Sequence, residues 1–155
     1  MSENLIVKGD SKEELYATLL PQIESVISNE TDSIANMANV AACIKETFGF
    51  WWVGFYRVIE GELVLGPFQG PLACTRIRKG KGVCGTAWEK AATIIVPNVD
   101  EFPGHIACSS ASKSEIVLPV VHDNCVIAVL DIDSDKLDTF DQTDRYWLEK
   151  IAAMI

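Results

Sequence analysis

Three of the five cysteines in this 155-residue chain, Cys74, Cys84 and Cys108, fall in one stretch, Gly66 to Pro119: GPFQGPLACTRIRKGKGVCGTAWEKAATIIVPNVDEFPGHIACSSASKSEIVLP. Each is flanked by small residues, glycines or hydroxyls. A thiol kept for packing ordinarily lies in a run of large apolar side chains, whereas HIACSSA leaves the sulfur of Cys108 room to meet a ligand. The chemistry open to such a set is reversible oxidation. A cysteine that takes up an oxygen atom becomes a sulfenic acid, another thiol converts it to a disulfide, and an external dithiol reduces that. Three separated cysteines around one pocket meet this need, one attacking and the others resolving. They contain no close pair of the kind structural zinc sites use; His105 and Cys108, three apart, come nearest to a metal motif, and no metal is expected.

Carboxylates supply a second candidate group. Asp131 and Asp133, two apart in VIAVLDIDS, share one face of an otherwise apolar strand. Carboxylates there repel each other and lose hydration, which raises at least one pKa unless a cation intervenes. The ammonium of a free amino acid is such a cation, and a carboxyl kept protonated serves as a general acid at neutral pH. Glu115, at the head of the partner strand, completes the cluster if the register allows. A three-residue turn over His122 to Asn124 pairs Glu115 with Asp131 on one face, and this is the expected turn. A two-residue turn at Asp123-Asn124 would send them to opposite faces. The plainer alternative is that Asp131 and Asp133 end a strand at the surface.

The elements that must position these groups follow from periodicity and turn chemistry. Ser11 to Glu14 reads as a capping box, followed by Leu15, Leu19, Ile23, Val26 and Ile27 at helical spacing, with Pro21 expected to kink or divide the helix. A second helix runs from about Asp32 to Thr47, with Ile34, Met37, Val40, Ala41 and Ile44 on one stripe and Cys43 as a small core side chain. Phe50 to Ile59, a Glu60-Gly61 turn and Leu63 to Leu65 form a hairpin. Alternation places Trp52, Gly54 and Tyr56 on one face and Trp51, Val53 and Phe55 on the other; core packing alone accounts for both rows, and a pocket wall accounts for one.

A short strand, Cys74 to Ile77, then leads through Arg78-Lys79-Gly80-Lys81-Gly82 into a helix from Val83 to about Ala91. GKGVCG matches a dinucleotide fingerprint in letters, but a hairpin precedes it rather than a βαβ unit, so that reading is set aside. The helix N-terminus and Arg76, Arg78, Lys79 and Lys81 are expected to make the surroundings of Cys84 electropositive and favour its thiolate. Thr93 to Val96 is a strand, and Pro97 to Ser114 a long loop of the functional kind. Glu115 to Val121 and Cys125 to Ser134 form a second hairpin, with Cys125 assigned to packing and His122 to the solvated turn tip. Phe140 to Met154 is a helix capped near Thr139 or Asp141, with Tyr146, Trp147 and Ile151 inward. The order suggests an α+β layered domain, an antiparallel sheet with helices on its faces.

The net charge is -9 and the sequence pI about 4.6, which disfavours phosphate backbones and anionic membranes as partners. The N-terminus MSENLIVKGD lacks a signal peptide's basic head and apolar centre, and no apolar run approaches a membrane span, so a cytoplasmic location is expected. An odd number of cysteines argues there for reduced or catalytic thiols rather than a permanent disulfide framework. The length suggests a single domain over residues 1–155.

The motifs GPFQG, GVCGTA, FPGHIAC and SEIVLP, in this order, closely resemble those of the free methionine-(R)-sulfoxide reductases, single-domain enzymes of the GAF fold; the resemblance spans about Trp52 to Asp133. It implies a GAF-like antiparallel sheet of about six strands, and reduction of free L-methionine (R)-sulfoxide through sulfenic acid and disulfide chemistry as part of the response to oxidative stress. Cys108 matches the attacking cysteine, and Cys84 and Cys74 match the cysteines that resolve and recycle it. Glu115, Asp131 and Asp133 match the functional carboxylates, and Trp52 and Tyr56 the aromatic walls that hold the methylsulfinyl group. Ser109 departs from the acidic residue common after the attacking cysteine. The resemblance further implies thioredoxin as external reductant, no bound cofactor, and a homodimer. Two other readings of a GAF-like chain are a small-molecule-binding module and a redox sensor, neither with turnover.

Overall fold

In the computed structural model of the protein, which describes residues 4–106 and 111–155, two helices open the chain. Cys108 and Ser109 lie outside the described residues. Helix α1, Lys12–Ile27, is capped by Ser11, whose hydroxyl accepts from the Glu14 backbone N–H at 3.2 Å. The Glu14 carboxylate reaches one residue further back than a capping box requires and accepts from the N–H of Asp10 at 2.8 Å. The expected division at Pro21 does not occur, because the proline lies on the exposed side while Tyr16, Leu19, Ile23 and Ile27 carry one buried stripe past it. That burial outweighs the single hydrogen bond the ring removes. Helix α2, Ser33–Phe48, is capped by Asp32 and ends at Gly49, whose φ of 67° permits its N–H to reach the Lys45 carbonyl at 2.8 Å. Met37, Val40, Ala41, Cys43 and Ile44 are buried as expected; Val26 of α1 and Ile34 of α2 are exposed at the helix ends.

Among the described residues, strands β1 (Trp52–Ile59), β2 (Glu62–Gln69), β3 (Arg76–Arg78), β4 (Ile94–Val96), β5 (Ser114–His122) and β6 (Cys125–Ser134) form one antiparallel sheet in the order β3-β2-β1-β6-β5-β4. Alternation along the strands builds a core on each face. On one face Val53, Phe55, Ile116, Leu118, Leu130 and Ile132 pack against α1, α2 and the closing helix α4, Gln142–Ala152. On the other face Trp52, Tyr56, Val117 and Val129 meet α3, Gly82–Lys90. Trp51 joins this second core rather than the row of Val53 and Phe55, because it precedes the strand and escapes its alternation. No described helix is long and apolar enough to cross a membrane.

The β5–β6 hairpin departs from expectation in an instructive way. Its turn has two residues, Asp123 and Asn124, both left-handed with φ of 52° and 63°, and His122 pairs directly with Cys125. Carried along the strands unchanged, that register would separate the acids. A bulge prevents it: Val121 pairs with Val126 but Val120 with Ala128, which leaves Ile127 as the extra residue. Beyond the bulge Glu115 faces Asp133 and Val117 faces Asp131, so all three acids share a face. Cys125, expected to pack, is exposed at the strand's first position beside the turn. His122 is exposed, and its Nε2 lies 2.9 Å from the Ile155 carbonyl oxygen.

Two further boundaries shift. Cys74 precedes β3 instead of opening it: the ladder pairs Arg76 to Arg78 with Val64 to Glu62 of β2, and the Leu65 N–H donates to the Thr75 carbonyl at 3.0 Å just before the strand. In α4 a full capping box between Asp141 and Asp144 starts the helix at Gln142; Ile151 is buried and Trp147 packs half-buried against the core as expected, with Leu148 buried beside them. Tyr146 is exposed, its ring edge-on to Trp147 and beneath the Lys150 ammonium. Asp144 is fully buried and accepts from the Tyr16 hydroxyl at 2.7 Å and the Lys12 ammonium at 2.6 Å, which ties α1 to α4.

Candidate active site

The face carrying α3 holds a pocket between β1, β6, β5 and the loops before β3 and β5. Trp52, Tyr56, Cys84, Glu115, Asp131 and Asp133 all line it, together with Trp51, Lys81, His105 and Ser112. Six of the eight residues that sequence reasoning singled out therefore converge on one cavity. Cys74 is disulfide-bonded, and Cys108 falls outside the described residues.

The aromatic wall is locked from several sides. Trp52 stacks on Tyr56 with ring centroids 5.9 Å apart and on Phe68 at 5.2 Å, and its indole N–H donates to the Pro71 carbonyl at 3.1 Å. Tyr56 donates its hydroxyl to the Cys74 carbonyl at 2.9 Å, which holds the loop before β3 against the wall. Glycines make room for the indole: a Cβ at Gly54 would lie 2.6 Å from Trp52 Cη2, and one at Gly70 2.6 Å from Trp52 Cδ1. Opposite, α3 presses close to the chain ahead of it because Gly85 has no Cβ, which would fall 2.4 Å from the Arg78 carbonyl oxygen. Here GKGVCG serves close packing, and β3 and β4 lie at opposite edges of the sheet instead of forming a βαβ unit.

The acids form a desolvated group. Glu115 and Asp131 are 5% and 6% exposed, and Asp133 opens partly to the cavity, where the Ser112 hydroxyl donates to it at 3.3 Å. Burial first, and then the charges of Asp131 and Asp133, hold the Glu115 carboxyl well above the usual range. Asp133 rises for the same reasons, burial and then Asp131. Asp131 is raised by burial, offset in part by hydrogen bonds from Glu115 and Cys84. Protons are thus retained within the group at pH values where an exposed carboxyl has lost its own. Asp131 Oδ1 is buried with no hydrogen-bonding partner among the described residues. His105 brings Nε2 to 4.0 Å from Glu115 Oε1.

Cys84 contradicts its expected setting. Burial, followed by Asp131, Glu115 and Asp133, pushes its thiol well above the ordinary value, so it is a protonated thiol and not a favoured thiolate. Of the basic residues that surround it in sequence, Lys81 lines the pocket and the others are directed elsewhere. Arg76 and Arg78 flank Ile77 on the exposed side of β3, Arg76 lies 3.5 Å from Glu62, and the Lys79 ammonium stands 5.1 Å from the Trp88 ring centroid.

Sequence reasoning missed Trp51 and Ser112 as pocket residues and weighed His105 only as a metal ligand. His105 carried a usable signal, since it stands three residues before Cys108 in FPGHIAC. Trp51 and Ser112 carried none, because their placement depends on where strands begin.

Residues 34–155 match the GAF domain family. GAF domain-containing protein A of Dictyostelium discoideum is 60% identical over 156 residues, covering 100% of this chain and 99% of that protein. The free methionine-R-sulfoxide reductase of Escherichia coli K12 is 43% identical over 146 residues, 94% of this chain and 88% of the relative. Among solved structures, the free methionine-R-sulfoxide reductase of Neisseria meningitidis in complex with its substrate superposes with a TM-score of 0.96 at 55% identity, covering 97% of this chain and 92% of that one. By sequence and by fold, the chain belongs to the free methionine-R-sulfoxide reductase family of GAF-domain proteins.

Proposed function

We propose that this protein reduces free L-methionine (R)-sulfoxide to L-methionine. The observation that carries the reading is the pocket in which the Trp52–Tyr56 stack stands beside Glu115, Asp131 and Asp133. The aromatic wall suits a methylsulfinyl group, and the carboxyls offer both a counter-charge for an ammonium and a proton for an oxygen. A family neighbour whose structure contains its substrate supports the same assignment.

In this mechanism the Cys108 thiolate attacks the sulfoxide sulfur while a protonated member of the acid group gives its proton to the sulfoxide oxygen. Oxygen passes to the cysteine sulfur, leaving methionine and a sulfenic acid on Cys108. A second thiol then attacks that sulfur, forming a disulfide and releasing water. Cys74 resolves ahead of Cys84, because the attacking form is the thiolate and buried carboxyls keep Cys84 protonated. Thioredoxin, as external dithiol, reduces the disulfide; no bound cofactor takes part. The protein works in the cytoplasm as a single domain over residues 1–155, paired as a homodimer.

The test is NADPH consumption with thioredoxin, thioredoxin reductase and each epimer of free methionine sulfoxide. Turnover of the R epimer, abolished in Cys108→Ser, is expected. Peptide-bound sulfoxide, which lacks the free ammonium, is expected to be a poor substrate. Absence of R-dependent turnover would overturn the reading in favour of a binding or redox-sensing module.

A further inference from the structure

Sequence spacing discourages a metal site here, yet the fold gathers donors that are far apart in the chain. One ligand atom from each of Cys84, Glu115 and Asp131, all buried, lies within 4.8 Å of the others. Tetrahedral zinc with sulfur at about 2.3 Å and oxygen at about 2.0 Å sets its ligands roughly 3.3–3.5 Å apart, so closing the site takes side-chain shifts of about an ångström. An acidic cluster alone would not point to a ligand. The second observation is Asp131 Oδ1, a carboxylate oxygen on a cavity-lining residue 6% exposed, with no hydrogen-bonding partner among the described residues. A buried acceptor left in this state is a position for an electron-pair acceptor. The donor set, one sulfur and two carboxylates, suits a borderline-soft divalent ion better than calcium or magnesium, which take oxygen shells. His105, with Nε2 4.0 Å from Glu115 Oε1, is a further nitrogen donor beside the three.

We propose that Cys84, Glu115 and Asp131 form a binding site for a thiophilic divalent cation of the zinc class, and that an ion held there closes the pocket to a substrate. Binding displaces the Cys84 proton and any proton on the acid pair, so uptake releases protons to solvent and strengthens as pH rises. The ion neutralises the charges an ammonium would otherwise meet and stands against the aromatic wall. Occupancy and substrate binding are therefore mutually exclusive. The inference rests on ligand geometry and holds whether or not the reductase reading does.

The experiment is a titration of the full-length protein with cobalt(II), a spectroscopic stand-in for zinc, without added thiol reductant and with the Cys74 disulfide intact. The expected result is one equivalent bound, with the near-ultraviolet charge-transfer absorption of a thiolate–cobalt bond, displaced by zinc. Cys84→Ser should abolish that absorption, while Cys43→Ser and Cys125→Ser leave it unchanged. Glu115→Gln and Asp131→Asn should each weaken binding by at least the roughly tenfold that loss of an outer-shell partner costs. Persistence of the absorption in Cys84→Ser, binding without thiolate absorption, or full affinity in both carboxamide variants would overturn the proposal. Circular dichroism checks each variant's fold; should Cys84→Ser fail to fold, the carboxamide variants decide. A protein that binds cobalt as described but turns over no sulfoxide loses the reductase reading and keeps the metal site.

Discussion

Replacing Glu115 with glutamine isolates the electrostatics of the pocket. One oxygen of Glu115 lies within 4.8 Å of one of Asp131, and Glu115 faces Asp133 across the sheet. At an effective dielectric of about 20, two unit charges 4.8 Å apart repel by about 3.5 kcal/mol, more than the margin for keeping both ionised in a buried site. The group therefore retains protons, and retention carries a sign. A carboxyl whose folded pKa is raised binds its proton more tightly in the folded chain than in the unfolded one, so stability falls as pH climbs from the unfolded carboxylate range towards the raised folded value. Glutamine keeps the shape, offers hydrogen bonds and cannot ionise. Urea unfolding should show Glu115→Gln near parity with the parent at pH 5 and more stable by about 1–3 kcal/mol at pH 8, a part of the roughly 3.5 kcal/mol of repulsion that a neutral amide avoids. In the coupled assay the same variant should lose on the order of 100-fold in kcat/KM, the lower end of a general acid's contribution. A variant less stable than the parent at pH 8 and unchanged at pH 5 would refute the reasoning. It would mean that the folded chain favours the ionised form of Glu115.

Other expectations follow from packing and can be checked by denaturation. Asp144→Ala strips the buried partner from the Tyr16 hydroxyl and the Lys12 ammonium, and should cost about 3–5 kcal/mol in urea unfolding; a loss below 1 kcal/mol would count against the α1–α4 tie. Gly54→Ala places a methyl 2.4 Å from Phe68 Cβ and 2.6 Å from Trp52 Cη2, so overpacking should cost about 1–3 kcal/mol while the displaced indole raises KM; an unchanged KM would separate Trp52 from substrate binding. Cys125→Ser, at an exposed position, should alter stability by less than about 0.5 kcal/mol. Cys43→Ser, which buries a hydroxyl in the helix-side core, should cost about 1–3 kcal/mol.

What could be read from the sequence, and what could not, divides along the range of the interactions. Helix caps, the two hairpins and the α+β order are local, set by residues within a few positions of one another, and they appear where caps and periodicity place them. The convergence of the acids is not local. Its turn is one residue shorter than the expected three, because Asp123 and Asn124 both accept the left-handed conformation and close a two-residue loop that leaves His122 as a strand residue. The acids nonetheless share a face, since the bulge at Ile127 restores the parity that the shorter turn removes. Nothing in VIAVLDIDS marks that extra residue: an apolar strand buried on both faces reads the same with or without a bulge. Cys84 fails for a related reason. Its neighbours in sequence are Arg78, Lys79 and Lys81, yet a side chain feels charge through space, and the nearest charges in space are Asp131, Glu115 and Asp133 from a hairpin thirty to fifty residues downstream. Alternation on β3 and the stacking of Lys79 on Trp88 carry Arg76, Arg78 and Lys79 away, leaving Lys81 at the pocket and the buried thiol among acids. The composition of the site was therefore legible from residue types, whereas the charge state of its thiol was not, because that depends on which strand the bulge turns inward.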